Sequence, residues 1–326
     1  MNRHDPRSIA VPLLKPLAWA TAIGMFIVLV MGATVTNTGS AEGCGRSWPL
    51  CHGELIPEFA VSTMIEFSHR AVTGIETILV LSLAVSAWLA YRQNREIRIL
   101  AILMVGTLFL QAGMGAWAVL YPQNPLVLAL HFGISLAAFA SALLVATSVG
   151  ESEATRQLRR QTVSRGYVRA AWTALLFLLV VVYLGAYIRH AGLNMGCYGW
   201  PLCNGQVVPR LGYPTGPVFA HRFAALLAVV FLVGLAVRAW SFRAVRPDLV
   251  WASFAAVVLI LAQSLTGAVV VSTGMGLFSA LLHAGVMALL FGSVSYLCLR
   301  VLPGPVEVTE TKDAMPTIPV SVGRVQ

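Results

Sequence analysis

Charged residues are scarce in this chain. Only 11% of its 326 residues are Asp, Glu, Lys or Arg, while 58% are hydrophobic. A soluble domain has nowhere to hide that much apolar surface, so the balance excludes one and makes lipid the solvent. Cysteine is also sparse, with five in all and no C-x-x-C spacing of the dithiol oxidoreductase kind. Neither of the two close cysteine pairs, C-x6-C and C-x5-C, has a second ligand pair nearby, which leaves a structural zinc site little support. Acidic residues are outnumbered, 13 against 22 basic ones, for a net charge of +9. Such an excess would suit nucleic acid, but its placement points to topology instead.

What is present is hydrocarbon in long runs. Eight segments are long enough to cross a bilayer as helices: Leu17–Val35, Ser62–Tyr91, Ile99–Leu120, Leu126–Val149, Ala170–Ile188, Pro217–Val237, Leu249–Val271 and Leu277–Val301. The expected fold class is therefore an all-α integral membrane protein. Basic residues gather before the first run, between the second and third, fourth and fifth, and sixth and seventh, and around the eighth. The positive-inside rule makes that side cytoplasmic, with both termini inside a cell (inner) membrane. The first run exceeds the apolar core of a typical signal peptide and has a counterpart in the fifth, so it is expected to stay as a span. The tail from residue 303, polar and proline-bearing, is expected to be disordered and cytoplasmic.

The sequence repeats itself. Trp48-Pro49-Leu50-Cys51 returns as Trp200-Pro201-Leu202-Cys203, 152 residues on. The same offset carries His69-Arg70 onto His221-Arg222, Gln111 onto Gln263, Gly115 onto Gly267 and His131 onto His283, and Cys44 and Gly32 map onto Cys197 and Gly185 one residue further. Two tandem four-helix bundles are expected, residues 1–149 and 170–302, joined by a basic linker at 150–169. Four spans per unit is an even number, so both units enter the membrane in the same direction. Their pseudo-two-fold axis is expected along the membrane normal, unlike the inverted repeats of many transporters.

Four of the seven histidines, His69, His131, His221 and His283, fall inside apolar helices at matching depth. An ionisable group there is costly and marks a functional site by default. Two imidazoles facing each other across a bundle core can ligate a metal. Zinc asks for more ligands, and no cysteine, aspartate or further histidine accompanies either pair. Two axial imidazoles and nothing else suit haem iron. Arg70 and Arg222 follow histidines directly, and pairing with haem propionates would satisfy both; the competing partner for Arg70 is Glu66, four residues earlier.

Cys44 with Cys51, and Cys197 with Cys203, lie in loops on the outer side, where disulfides persist. Rings this small are worth only about 2.5 kcal/mol each, so they read first as staples of short loops. Each loop leads into the span bearing the first histidine of its unit. Stapled there, Trp48, Leu50, Leu55 and Ile56 are expected to roof a haem pocket. Cys298 has no partner and reads as packed.

The halves differ at Glu66, three residues before His69 on the same helical face, where the second half has Val218. Two readings compete: a carboxylate serving chemistry beside one iron ligand, or the last member of a Thr63-Met64-Ile65-Glu66 capping box. Glu76, two turns further, has Ala228 as its counterpart and no assigned task. The EFSHR motif, the histidines of the fourth, sixth and eighth spans, the paired loop cysteines and the two four-helix halves together resemble the heme A synthase family, from Leu17 to Val301. That resemblance implies an oxidoreductase that converts a methyl group of haem O to the formyl group of haem A, for cytochrome oxidase. It implies haem b as cofactor at His221 and His283, substrate haem at His69 and His131, and a catalytic role for Glu66. It also implies haem O arriving from a membrane haem O synthase, an unidentified electron donor or acceptor, and a part for Cys44 and Cys51 in electron or haem delivery. Membrane lipid is the expected surroundings and nucleic acid is no partner. A dihaem b-type electron-transfer cytochrome and a non-catalytic haem carrier remain as alternatives.

Overall fold

The computed structural model describes the backbone of residues 6–304 and the side chains from residue 13 onward; the tail beyond 304 and the first basic residues lie outside them. Among the described residues the regular structure is helical, apart from two isolated bridges in the cysteine loops. The helices are α1 (Pro6–Asn37), α2 (Val61–Ala90), α3 (Arg95–Leu120), α4 (Pro125–Ser148), α5 (Glu153–Arg160), α6 (Arg165–His190), α7 (Thr215–Ala239), α8 (Pro247–Ser272) and α9 (Leu277–Arg300). All except α5 are long and apolar enough to span a membrane. The chain is a multi-pass helical membrane protein, and helices suit that solvent because each satisfies its own backbone groups.

Several helices outrun the apolar segments that announce them. α6 begins at Arg165 rather than near Ala170, and α8 begins at Pro247 rather than Leu249. Hydropathy marks the part of a helix within hydrocarbon, while local capping marks where it starts. Asn94, Asn124, Ser152 and Ser164 cap α3, α4, α5 and α6 by accepting backbone N–H bonds, at 2.9 to 3.3 Å. The segment read as a linker thus contains an eight-residue helix and gives its last residues to α6.

α1, α2, α3 and α4 pack in a ring in which each touches the next and α4 returns to α1. α6, α7, α8 and α9 form a second ring of the same order. The rings meet through α4 against α6 and α9, and α1 against α9. Small residues permit this close approach, as in other membrane interfaces. A side chain at Gly292 of α9 would run into Leu143 and Phe139 of α4, and one at Gly133 of α4 into Tyr183 of α6. α2 and α7 stand away from the joint and are the spans least buried by protein.

At the end opposite the cysteine loops, the linker is clamped by ion pairs that a count of basic residues does not reveal. Arg159 of α5 pairs with Glu96 of α3 and Glu151, and reaches Leu299 O. Arg300 of α9 pairs with Glu151 and Asp248, and Arg246 pairs with Asp248 at 2.9 Å while donating to Gln161 O and Arg300 O. All three arginines are buried. Burial works against the charge on Arg159, yet Glu96 and Glu151 outweigh it and hold its pKa above the ordinary value. Removing one partner of such a buried pair costs about 3–5 kcal/mol, because the other is left uncompensated.

Candidate functional site

The four intramembrane histidines sit on α2, α4, α7 and α9. Within each ring these helices are diagonal rather than adjacent, so the paired imidazoles approach across the bundle core. The other diagonal contributes glycines at the same level. A Cβ at Gly32 of α1 would lie 3.3 Å from the His69 ring, and one at Gly115 of α3 would lie 3.4 Å from His131. In the second ring Gly185 of α6 faces His221 at 2.7 Å, and Gly267 of α8 faces His283 at 3.2 Å. The sequence offers these four glycines only as markers of the repeat; their spatial task is to leave each imidazole room.

The rings are held differently in the two halves. His221 Nδ1 lies 3.1 Å from Val181 O and must donate to it. Thr266 Oγ1 gives its single proton to Gln263 O, so at 2.9 Å from His283 Nδ1 it must accept. His283 Nε2 is then the unprotonated nitrogen, matching the Gln263 amide N–H 3.1 Å away. His221 therefore keeps Nε2 free for a ligand, while His283 Nε2, though unprotonated, is engaged by the Gln263 amide. Among the described residues, neither His69 Nδ1 nor His131 Nδ1 of the first half has a hydrogen-bond partner, and the side-chain oxygens of Gln111 and of its counterpart Gln263 are both unpartnered.

Among the described residues no three His, Cys, Asp or Glu side chains converge as a metal cage. Two facing imidazoles fit a metal whose remaining ligands arrive with it, which is the donor set of a porphyrin iron. The glycine packed close against each ring, which lets the imidazole stand inside the bundle, and the unpartnered first-half nitrogens agree with that fit.

Both cysteine loops contain their disulfide, Cys44–Cys51 and Cys197–Cys203, and Cys298 is free and buried. Arg70 donates to Ser47 O and Leu50 O, while Arg222 donates to Gly199 O, Leu202 O and Cys197 O. The arginines following the histidines thus tie each loop down onto its helix. Expected as propionate partners, they are largely engaged in the protein: Arg222 gives three N–H groups to loop carbonyls, and Arg70 gives two to loop carbonyls and two to Glu66.

Two expectations need correction. α2 starts at Val61, before Thr63, and its N-cap residue Ala60 makes no side-chain cap. Thr63 instead donates to Gly43 O at 2.7 Å, and Glu66 accepts from Cys44 N at 2.8 Å. No capping box forms, because both side chains are turned to the loop. The apolar loop residues also do not roof the core. Trp48, Leu50, Leu55 and Ile56 are 48%, 39%, 79% and 81% exposed, since the arginine and the disulfide occupy the inner face of the loop.

Glu66 is the point of contrast. Buried at 3% exposure, it holds Cys44 N and Arg70 at once, so its carboxylate is fixed in position one turn from His69. In the second half Val218 packs with Ile188, Leu193, Cys197 and Cys203 in a small apolar cluster. Arg189 donates to Asn37 across the joint between the halves, a contact the sequence does not announce.

Fold and site together define a helical membrane protein with two half-buried histidine pairs inside its spans, each beneath a disulfide loop. The COX15-CtaA model, described as cytochrome oxidase assembly protein, matches residues 15–295. The chain is 41% identical over 299 residues to heme A synthase of Symbiobacterium thermophilum, covering 89% of this chain and 96% of that one. It is 39% identical to heme A synthase of Halalkalibacterium halodurans, covering 88% and 96%, and 40% identical to that of Exiguobacterium sibiricum, covering 84% and 90%. The chain belongs to the COX15-CtaA family.

Proposed function

We propose that the chain is a heme A synthase, a membrane oxidoreductase that converts haem O to haem A for cytochrome oxidase. The likeness to several synthases over most of their length supports the activity. The division of labour between the halves is carried by one observation: the second-half histidines have their Nδ1 atoms engaged and the first-half pair does not. A fixed tautomer makes a stronger, better oriented ligand, as a resident cofactor requires. His221 and His283 would hold haem b, which supplies one-electron redox chemistry when bound. His69 and His131 would receive haem O and release haem A, so a looser grip suits them.

In this reading Glu66 serves the first half. Oxidation of a methyl group at a porphyrin edge develops positive charge or releases a proton, and a fixed carboxylate stabilises the one or accepts the other. Arg70 and Cys44 N keep it oriented. The N–H groups that Arg70 and Arg222 have left are available to propionates. The matching contact pattern of the two rings supports the two-fold relation along the membrane normal. The arginine-rich linker end is the cytoplasmic side, because the positive-inside rule counts Lys and Arg whether or not they are paired. A membrane haem O synthase would supply the substrate, and an electron partner completes the oxidation.

Extracting and weighing the haems bound by the purified protein tests the function. Farnesylated haem bearing a hydroxymethyl or formyl group is expected beside haem b. Haem b alone, in cells that make haem O, would return the protein to the cytochrome or carrier class.

A further inference from the structure

Glu76 lies seven residues beyond His69 on α2, almost a whole number of turns, so it faces the same side about 10 Å further from the loop end. It is 2% exposed, and its Oε1 has no hydrogen-bond partner among the described residues. Oε2 presses against Gly24 of α1, where even a single added carbon would collide with it. An unpartnered carboxyl within a membrane bundle is costly to keep.

The second half fills the same place without one. By the repeat, Ala228 stands for Glu76 and Phe177 for Gly24. At the matching positions the second half thus carries alanine, which is buried, and phenylalanine, hydrocarbon where the first half has a carboxyl and glycine. The fold therefore has an apolar solution for this position, and packing alone does not call for the glutamate. A ligand present in one half and absent from the other does.

We infer that Glu76 is a specificity residue of the first-half site, taking a hydrogen bond from an alcohol on an isoprenoid-substituted porphyrin. The inference rests on assigning that site to haem O. Haem O differs from haem b in bearing a hydroxylated farnesyl chain at one corner of the ring, so its alcohol stands just outside the porphyrin edge. The His69 ring lies against Gly32 of α1 and the Glu76 carboxyl against Gly24, eight residues apart, so both face the same neighbour. Their separation along the helix of about 10–12 Å is of the order of a porphyrin radius plus a substituent. A carboxyl accepts an alcohol O–H in either protonation state. Haem b has no alcohol there, and Ala228 and Phe177 offer no polar group.

Binding titrations separate this role from packing. Protein retaining haem b in its second half is titrated with haem O and, separately, with protohaem, and first-half binding is followed by difference spectra. Glu76→Leu is expected to weaken haem O binding about 10-fold and leave protohaem unchanged, whereas Glu76→Gln, whose amide oxygen still accepts, stays within about 3-fold of the parent. The double variant Gly24→Phe/Glu76→Ala, which copies the packing of the second half, is expected to behave as Glu76→Leu does, and it replaces that variant if the leucine protein loses its haem b. Unchanged haem O affinity, or an equal loss for both haems, overturns the inference while leaving the proposed function intact. A His69→Ala protein that still binds haem O like the parent would instead remove the assignment of the site, and this inference with it.

Discussion

The two halves share a helix order, a histidine pair, four matching glycines and a disulfide loop, yet they treat their histidines differently. In the second half Val181 O and Thr266 Oγ1 engage the Nδ1 atoms; in the first, those atoms have no partner among the described residues. Met114 stands where the repeat places Thr266, so the hydroxyl that orients His283 is missing beside His131. A Cβ at Gly185 would also crowd the His221 ring more than one at Gly32 would crowd His69, at 2.7 Å against 3.3 Å. Carboxyls run the other way: the first half buries Glu66 and Glu76 where the second has Val218 and Ala228. A duplicated scaffold has thus put ligand rigidity into one copy and polar groups into the other. That pattern supports the proposed reading, in which the second half would keep a haem and the first would work on one.

The largest effects are expected from the histidines themselves. His221→Ala or His283→Ala should abolish the low-spin b-type spectrum, because each removes an axial ligand. His69→Ala should leave that spectrum largely intact while haem A formation stops. Optical spectra of the purified variants, with extracted haem A measured in parallel, decide it. Equal loss of haem b from substitutions in both pairs would break the division between the halves.

Glu66→Gln comes next. The amide still accepts from Cys44 N but loses the negative charge beside His69 and the charge pairing with Arg70. Haem A formed per haem b bound should fall about 10²–10³-fold, the usual cost of losing one well-placed electrostatic group. Haem b content should stay normal, since Val218 occupies this position in the other half. An unchanged ratio would reduce Glu66 to an anchor of its loop.

Thr266→Val sharpens the contrast from the second half. It removes the acceptor for His283 Nδ1 at nearly constant volume, so haem b affinity should drop roughly 10–100-fold, as for other partners of metal-bound histidines. Met114→Thr, the reverse change, should tighten first-half haem binding and slow product release. Haem-transfer rates to apomyoglobin measure both, and no change in either variant would separate ring anchoring from haem retention.

Much of this was legible in the sequence because hydrocarbon runs and a long repeat are strong signals. Eight spans, the histidine pairs and the contrast of Glu66 with Val218 follow from spacing alone. What escaped depends on distance in space. Gly32 and Gly185 looked like repeat markers, and only helix packing places His69 and His221 against them. Arg159, Arg246 and Arg300 looked like loose topology charges, but Glu96, Glu151 and Asp248 meet them from other elements. The capping box failed because S/T-x-x-E describes a local option, and Gly43 and Cys44 offered Thr63 and Glu66 partners from 20 and 22 residues away.

The smallest effects are expected from the disulfides, and they test how each loop is held. Replacing either pair by serine should cost no more than about 2.5 kcal/mol, by the chain-entropy estimate for so short a ring. The loops should nevertheless respond unequally. The first is tied to α2 by three side chains, Thr63, Glu66 and Arg70. From α7, the second is tied through Arg222, with Val218 giving only apolar contact. Without its disulfide the first loop keeps an ion-paired anchor at Cys44 N, while the second keeps one guanidinium and a small hydrophobic cluster. Amide hydrogen exchange should therefore rise more across residues 197–208 in Cys197→Ser/Cys203→Ser than across residues 44–56 in Cys44→Ser/Cys51→Ser. Adding Thr63→Val and Glu66→Val to the first-loop variant, which leaves Arg70 as its polar tie to α2, should bring the two loops level. Faster exchange in the first loop with Glu66 intact would mean that the buried carboxylate does little to hold it, leaving chemistry at the neighbouring histidine as the reason for its burial.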